Sequence, residues 1–306
     1  MRPDKKFIFL SLILITAVIL LVLPYLPVNS PDHKKKYGEL EPMDSHLLFA
    51  FVTPHPPLIV PEIGGTYRLK ARKTINALSY IAKQVKKAEP DTIIIITPHL
   101  VTAPEKFSVF KQESITGNLS EYGKSDVELS IDNDTEFISE LENNLKNTGL
   151  GLKGINSEKK LDHGSFVPMY FFNEAGYTGK YVVINYSGLS REKHIQLGKI
   201  IRKTIEVSDK KFVFTASADL SHSLSKTAPN GYKPESAAFD RKIVNSIKAG
   251  NYKAIINMGE TLVSETPQCG YNSILIGIGI MNMQPGQNKV FSYESPFGVG
   301  YMAASL

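Results

Sequence analysis

The sequence has no tryptophan and only one cysteine, Cys269, among its 306 residues. A single cysteine cannot form an intrachain disulfide, so cysteine usage leaves the redox compartment open. The sequence also lacks internal repeats and low-complexity segments in its body. With 42% apolar residues, 22 Gly and 18 Pro, the composition is that of an ordinary globular protein.

Outside the N-terminal segment, the sequence has almost no excess of basic over acidic residues. Residues 1–36 contain six basic and two acidic side chains, which account for +4 of the net charge of +5. The rest of the chain is therefore close to neutral and has no arginine-rich stripe. Because nucleic-acid binding needs many basic groups to neutralise phosphates, the charge pattern excludes nucleic acid as a partner.

The N-terminal segment contains a continuous apolar run over residues 7–23, interrupted only by one serine and one threonine. A helix of this length, rising about 1.5 Å per residue, approaches the thickness of a membrane's hydrocarbon core. We therefore predict a single-pass membrane anchor in residues 1–27 and a polar linker in residues 28–45. A cleaved signal peptide is the alternative, but no A-x-A site follows the run. The nearer basic cluster, on the N-terminal side, favours an extracytoplasmic domain.

Residues 46–306 alternate between short β-rich segments and amphipathic helices, which is typical of a single α/β domain. The strand interiors are rich in Ile, Val and Phe, which favours a central, mostly parallel or mixed sheet flanked by helices. We predict strands at residues 47–53, 92–97, 181–186 and 211–217, with weaker ones near 107–110 and 291–293.

Local signals also predict where several helices begin and end. Pro90 ends a helix whose apolar face precedes it, and Asp134 is a suitable N-cap for the next. Ser190 could cap a third helix, and Pro234 suits the first turn of a fourth. An apolar helix is predicted over residues 272–281.

Four of the seven histidines lie in loops that follow a predicted strand or contain glycine or proline. His55 and His99 each end a Thr-Pro-His sequence, His163 lies in Asp-His-Gly, and His222 ends Ala-Asp-Leu-Ser-His. Ligands bind at the carboxyl ends of strands in open α/β sheets, so these side chains should converge. Proline stiffens the turns that carry the first two imidazoles, as a preorganised metal site requires. We therefore predict that His55 and His99 bind a metal ion.

The third metal ligand should be anionic, and residues 265–270 contain two candidates. A Cys269 thiolate would suit Zn, Cu or Fe, whereas Glu265 would complete the two-His-one-carboxylate triad of non-haem Fe(II) oxygenases. A free cysteine is also commonly a small buried apolar residue. The residues alone leave this choice open.

The sequence resembles the LigB family of class III extradiol ring-cleavage dioxygenases in an ordered set of loops. These loops are TPHPPLIVPEIGG, ITPHL, LDHGSFVPMYF, SADLSH followed by AFDRKIV, the QCG turn and the terminal SPFGVGYMAA. The resemblance extends from about residue 47 to the C-terminus and is closest to the Memo-like branch. It implies a LigB-like α/β fold with a metal site.

The resemblance also implies roles for individual residues. It makes His55 and His99 metal ligands, places His163 beside the substrate and makes His222 the acid/base catalyst. The third ligand of the dioxygenases is a glutamate, whereas Memo-like members have a cysteine followed by glycine, as at Cys269. The implied cofactor is a divalent metal ion, with Fe(II) expected and Zn or Cu as alternatives. The implied substrates are a small aromatic diol and O2.

Two aspartates could support the catalytic histidines. Asp162 is predicted to orient the ring of His163, and Asp219 to support His222, although a turn-forming role for Asp219 is an equal alternative.

Two further functions compete with ring cleavage. One is a Memo-like metal-binding or redox protein without ring-cleavage activity, and the other is a zinc-dependent hydrolase, for which the H-E-x-x-H spacing is missing. The oligomeric state stays open.

Overall fold

The fold is described from a computed structural model, which describes residues 36–156 and 158–306. The predicted membrane anchor and the first part of the predicted linker lie outside these residues, so the anchor and its orientation stay predictions. Within the described residues, no helix is both long enough and apolar enough to cross a membrane. The later part of the predicted linker contacts the domain, because the buried ring of Tyr37 lies 4.9 Å from Tyr80 and 5.8 Å from Phe291.

A mixed eight-stranded sheet forms the centre of the domain, as the sequence predicts. Its strands in chain order are β1 (Leu47–Thr53), β2 (Thr92–Thr97), β3 (Phe107–Val109), β6 (Leu152–Gly154), β7 (Lys180–Asn185), β8 (Phe212–Ser217), β9 (Lys289–Glu294) and β10 (Tyr301–Ser305). The spatial order is β6-β3-β7-β2-β8-β1-β10-β9, and the four strands β7, β2, β8 and β1 run parallel. A separate antiparallel hairpin consists of β4 (Ser114–Leu119) and β5 (Lys124–Asp132).

Nine α-helices are found in residues 47–306 of the described chain, and they cover both faces of the sheet. They are α1 (Pro61–Gly64), α2 (Arg72–Ala88), α3 (Thr135–Leu145), α4 (His163–Glu174), α5 (Arg191–Glu206), α6 (Pro234–Lys248), α7 (Tyr252–Ile256), α8 (Glu260–Glu265) and α9 (Tyr271–Ile280). Helices α2 and α4 contribute to one apolar cluster, and α3, α5, α6 and α9 contribute to another. Because both faces are covered, every residue of β1, β2 and β8 is buried.

Two of the three helix-start signals predicted from the sequence act as expected in the structure. Asp134 is the N-cap of α3 and accepts a hydrogen bond from the Phe137 backbone N–H, and Pro234 is the first residue of α6. Ser190 occupies the N-cap position of α5, but its side chain makes no capping hydrogen bond. Helix α9 is buried except at the half-buried Asn272, because it packs between the sheet and α5.

Candidate metal centre

The carboxyl ends of three central strands lie side by side and bring the histidine loops together. In the parallel pair β1 and β8, Thr53 is in register with Ser217, so both chains leave the sheet at the same level. Strand β2 pairs with the other edge of β8 and ends at Thr97. The two Thr-Pro-His turns and the Ala-Asp-Leu-Ser-His loop therefore start from one edge of the sheet.

The side chains of His55, His99 and Cys269 meet at this edge. The two Nε2 atoms of His55 and His99 are 3.2 Å apart, and the Sγ atom of Cys269 lies 3.4 Å from Nε2 of His55. One potential ligand atom from each of the three residues lies within 4.8 Å of the others. His55 and Cys269 are buried.

The other two predicted histidines border this group. The His163 ring stacks on the His99 ring with centroids 4.4 Å apart and an interplanar angle of 23°. Nε2 of His222 lies 3.7 Å from Sγ of Cys269. Glu265, the alternative third ligand, is an exposed residue at the end of α8 and does not belong to the group. The structure therefore brings the cysteine, and not this carboxylate, to the two histidines.

Asp162 holds His99 through the backbone. Its carboxylate caps α4 by accepting from Ser165 N at 3.0 Å, and it also accepts from Thr97 Oγ1 at 2.5 Å and from His99 N at 3.1 Å. These bonds tie the end of β2 to the start of α4. Asp162 thus positions the turn that carries His99, and its role in orienting the His163 ring stays a prediction.

Asp219 contacts His55, and its predicted support of His222 stays a prediction. Its Oδ1 accepts from the His55 backbone N–H at 2.8 Å, and Oδ2 lies 3.9 Å from Nε2 of His55. Burial raises the pKa of Asp219 to about 7, and the hydrogen bond from His55 offsets only part of this effect. A nearby cation would favour the ionised form of this carboxyl group.

Burial keeps the clustered imidazoles neutral. It lowers the pKa of His55 well below its ordinary value, and the neighbouring imidazoles lower it further. Burial together with the charge of His163 lowers the pKa of His99 to about 4, and burial with His99 lowers that of His222 to about 4. Burial also raises the pKa of the Cys269 thiol. At neutral pH the site therefore presents imidazole lone pairs instead of positive charges.

The three donor atoms fit one transition-metal ion. Two nitrogen ligands at about 2.0–2.1 Å from a tetrahedral ion lie roughly 3.3 Å apart, close to the separation of the His55 and His99 nitrogens. A nitrogen and sulfur donor set suits Zn, Cu or Fe. A bound cation would also compensate the buried thiolate and the carboxylate of Asp219. The residues present thus match the implied metal.

Glycine at position 270 is required by the close packing of the cysteine loop. A Cβ atom at Gly270 would lie 2.7 Å from Cβ of Ala218 and 2.8 Å from the carbonyl oxygen of Asp219. A larger residue would push the loop that carries Cys269 away from the loop that carries Asp219. The Cys-Gly pair is therefore a packing requirement of the site.

A cavity of about 320 Å³ opens beside the histidines. The turn between β4 and β5 forms one wall, where the Tyr122 ring lies edge-on to the His163 ring at 5.6 Å. Lys159, Lys160 and Glu121 contribute charged groups to the lining. The volume is in the range of small-molecule sites.

Sequence reasoning did not identify three residues that support the site. They are Thr97, which donates to Asp162, Ser217, which contacts His55, and Tyr122 in the cavity wall. Position gave a signal for the first two, because each is the last residue of a strand that leads into a histidine loop. No sequence pattern predicted that the turn between β4 and β5, with Tyr122, would form a wall of the cavity.

The fold and the site define an α/β protein with a candidate metal centre of two histidines and one cysteine. Residues 49–304 match a family described as the catalytic LigB subunit of aromatic ring-opening dioxygenase. The chain belongs to this LigB family.

Two similar proteins are informative. Protein CA_C1420 of Clostridium acetobutylicum is 31% identical over 264 residues, which cover 84% of this chain and 56% of that protein. The chain thus spans little more than half the length of this relative. The crystal structure of the uncharacterized protein JW3007 from Escherichia coli K12 has a TM-score of 0.52 at 13% identity, covering 74% of this chain and 91% of that one. This similarity concerns the fold alone.

Proposed function

We propose that this protein is a metal-dependent, extradiol-dioxygenase-like oxidoreductase that acts on a small aromatic diol. The observation that carries the proposal is the convergence of His55, His99 and Cys269, whose ligand atoms lie within 4.8 Å of one another. Membership of the LigB family supports dioxygenase-like chemistry at this site. The ion that we propose is Fe(II).

The residues around the ion would divide the work of the reaction. A bound Fe(II) ion would supply the binding of O2 and would make the diol hydroxyl groups more acidic. His222 is neutral at pH 7, because its pKa is lowered to about 4, and it lies beside the thiol at 3.7 Å. Because a low pKa makes this ring a weak base, it would accept a proton only from a hydroxyl group that a bound metal ion makes more acidic, and it would then return that proton readily. His163 lines the cavity and can hydrogen-bond the substrate.

The cavity supports a small aromatic substrate. Tyr122 and His163 present two rings at about 80° to each other, which a planar ligand can contact by stacking. Asp162 lines the cavity and also accepts a hydrogen bond from the backbone N–H of His99, so it links the cavity to the turn that carries a proposed metal ligand. A diol in this cavity would lie next to the proposed metal ion.

A second candidate function is that of a metal-binding or redox protein without ring-cleavage activity, which the resemblance to the Memo-like branch suggests. One observation favours it: Cys269 completes the ligand group, while Glu265 is exposed. A thiolate ligand differs from the carboxylate of the Fe(II) facial triad, which keeps positions open for diol and O2. The thiol therefore separates the two candidates.

The test is anaerobic reconstitution with Fe(II), followed by measurement of O2 consumption against a panel of catechols. Ring cleavage predicts O2 uptake with a yellow ring-opened product, and its loss in His222→Gln with metal content unchanged. Stoichiometric metal without O2 uptake would support the second candidate. Stoichiometric zinc that iron cannot replace would support a hydrolase, and a protein that binds no metal would contradict all three. A Zn(II)-loaded sample is the matched control.

A further inference from the structure

We propose that Ser217 is a positioning residue that fixes the proton of His55 on Nδ1 and thereby directs the lone pair of Nε2 towards the metal. The inference deepens the proposed function and rests on it only for the presence of a metal ion. The position of the proton on His55 depends only on residues of the protein and not on the metal ion. It follows from two contacts of one hydroxyl group.

The hydroxyl group of Ser217 has a single proton and two acceptors within reach. Its Oγ makes a short hydrogen bond with the carbonyl oxygen of Gly164, and it lies 2.7 Å from Nδ1 of His55. A carbonyl oxygen can only accept, so the hydroxyl proton must point to Gly164. The Ser217 oxygen is then an acceptor, and Nδ1 of His55 must be the donor.

The alternative tautomer is unfavourable in this setting. With the proton on Nε2, the lone pair of Nδ1 would face the lone pairs of Ser217 Oγ across 2.7 Å. His55 and Ser217 are both buried, at 1% and 0% exposure, so water cannot supply the missing proton. An unpaired polar group in a buried site is strongly destabilising. The hydroxyl group of Ser217 therefore selects the Nδ1–H form.

The selected tautomer leaves Nε2 of His55 as a free acceptor on the side of the proposed ligands. That atom faces Nε2 of His99 at 3.2 Å and Sγ of Cys269 at 3.4 Å. A hydrogen bond that fixes the tautomer of a ligating histidine is a general device for raising its affinity for metal. Ser217 would therefore act on the metal through His55 without contacting it.

The same hydroxyl group connects the ligand to the loop of another histidine. Gly164 follows His163 at the start of α4, and a Cβ atom at Gly164 would lie 2.5 Å from Thr97 Oγ1. The carbonyl group is thus held in place by close packing as well as by the helix. Because this acceptor is rigid, the hydroxyl proton of Ser217 stays in its hydrogen bond with the carbonyl oxygen of Gly164.

Two measurements test the proposal, and neither depends on catalytic activity. In the first, metal-free protein with 15N-labelled histidine is examined by long-range proton–nitrogen NMR, with the His55 signals assigned by their loss in His55→Gln. We expect the Nδ1–H pattern for His55 in the wild type and a change of that pattern in Ser217→Ala. An Nε2–H pattern in the wild type would overturn the proposal.

The second measurement is a titration with Co(II), monitored through the absorption of the metal-bound thiolate. We expect Ser217→Ala to weaken Co(II) binding by roughly tenfold to a hundredfold, and Ser217→Thr, which keeps the hydroxyl group, to restore most of it. The matched control is Thr215→Val. Thr215 lies on the same strand as Ser217 and makes a buried hydrogen bond of 2.8 Å with Thr53, and no hydrogen bond links it to His55. Equal weakening in Ser217→Ala and Thr215→Val would contradict a specific role for Ser217.

The two proposals can fail separately. Absence of O2 consumption would contradict ring cleavage but would leave the tautomer and the Co(II) affinities unchanged. Absence of metal binding in the wild type would contradict the proposed function, and the NMR pattern would still decide the proton position.

Discussion

Two buried aspartates at opposite ends of the sheet have opposite surroundings. At the amino ends of the strands, Asp134 accepts from Thr92 Oγ1 at 2.7 Å and from Lys210 Nζ at 2.9 Å, and it caps α3. At the carboxyl ends, Asp219 accepts from the His55 backbone N–H, and no cationic side chain pairs with it among the described residues apart from the contact with His55 at 3.9 Å.

The pKa values of the two carboxyl groups diverge accordingly. Burial raises the pKa of Asp134, but the hydrogen bonds from Thr92 and Lys210 outweigh it and leave the pKa below its ordinary value. Burial dominates at Asp219 and raises its pKa to about 7. The domain therefore compensates a buried charge fully where it stabilises the fold. It leaves the charge of Asp219 only partly compensated, at the place where we propose that a metal ion binds.

The strongest test of this contrast is Cys269→Ala. Removing a proposed ligand should weaken metal binding by more than about a hundredfold, since even partners outside the ligand set contribute ten- to a hundredfold. Titration with Co(II) or Zn(II) measures the change. Asp134→Ala is the control for a buried group at the other end of the sheet, and its affinity should stay at the wild-type value. Wild-type affinity in Cys269→Ala would remove the cysteine from the ligand set.

Asp134→Ala should instead affect stability. Loss of the carboxylate removes the cap of α3 and leaves Lys210 with Glu136 as its remaining partner, so we expect a loss of about 2–3 kcal/mol. Urea unfolding of the metal-free protein measures it. Glu136→Gln, at the exposed partner of the same lysine, should cost less than about 1 kcal/mol. Similar losses in both variants would contradict the dominance of the buried pair.

The pH dependence of stability should have opposite signs at the two aspartates. The raised folded pKa of Asp219 contributes a loss of stability as the pH rises from about 4 to about 7, because ionisation of this group is easier in the unfolded chain; the buried histidines, whose pKa values are lowered, contribute the opposite slope in the wild type and in the variant alike. Asp219→Asn should remove this loss. The lowered pKa of Asp134 contributes stability that disappears as the pH falls through its folded value. Denaturant unfolding across pH 3–8 tests both slopes, and an unchanged slope in Asp219→Asn would contradict the assignment.

The smallest effect is expected for Glu265→Gln. Its side chain is exposed at the end of α8, so metal affinity should stay within about twofold of the wild type. Co(II) titration in parallel with Cys269→Ala provides the comparison. Loss of binding in the glutamine variant alone would restore the two-His-one-carboxylate site.

Much of the fold could be predicted because its central strands are uniform apolar runs. Strands β1 and β2 have the predicted bounds, and β8 differs by one residue at its start. The hairpin of β4 and β5 was missed, because its strands are short of apolar residues and partly exposed. The last strand, β10, was also missed, since alanines and a methionine carry little β signal before the partner strand is known.

The site was predictable in its residues more than in its contacts. Strand ends predicted the positions of His55, His99 and His222, and the Asp-His-Gly loop that of His163, while the family resemblance favoured Cys269 over Glu265. The sequence did not predict the hydrogen-bond partners of the two aspartates, because these partners are distant along the chain. Asp162 accepts from the backbone of His99, and Asp219 accepts from that of His55. The hydroxyl of Ser217 reaches His55 across 162 positions of chain.

That separation along the chain has a consequence for folding. The parallel pairing of β1 with β8 must close a segment of about 160 residues before Thr53 and Ser217 can meet, and contacts of such range form slowly. No early intermediate built from local contacts could assemble the ligand group. A metal ion should therefore bind late and accelerate none of the first folding steps, so that its uptake reports a completed domain.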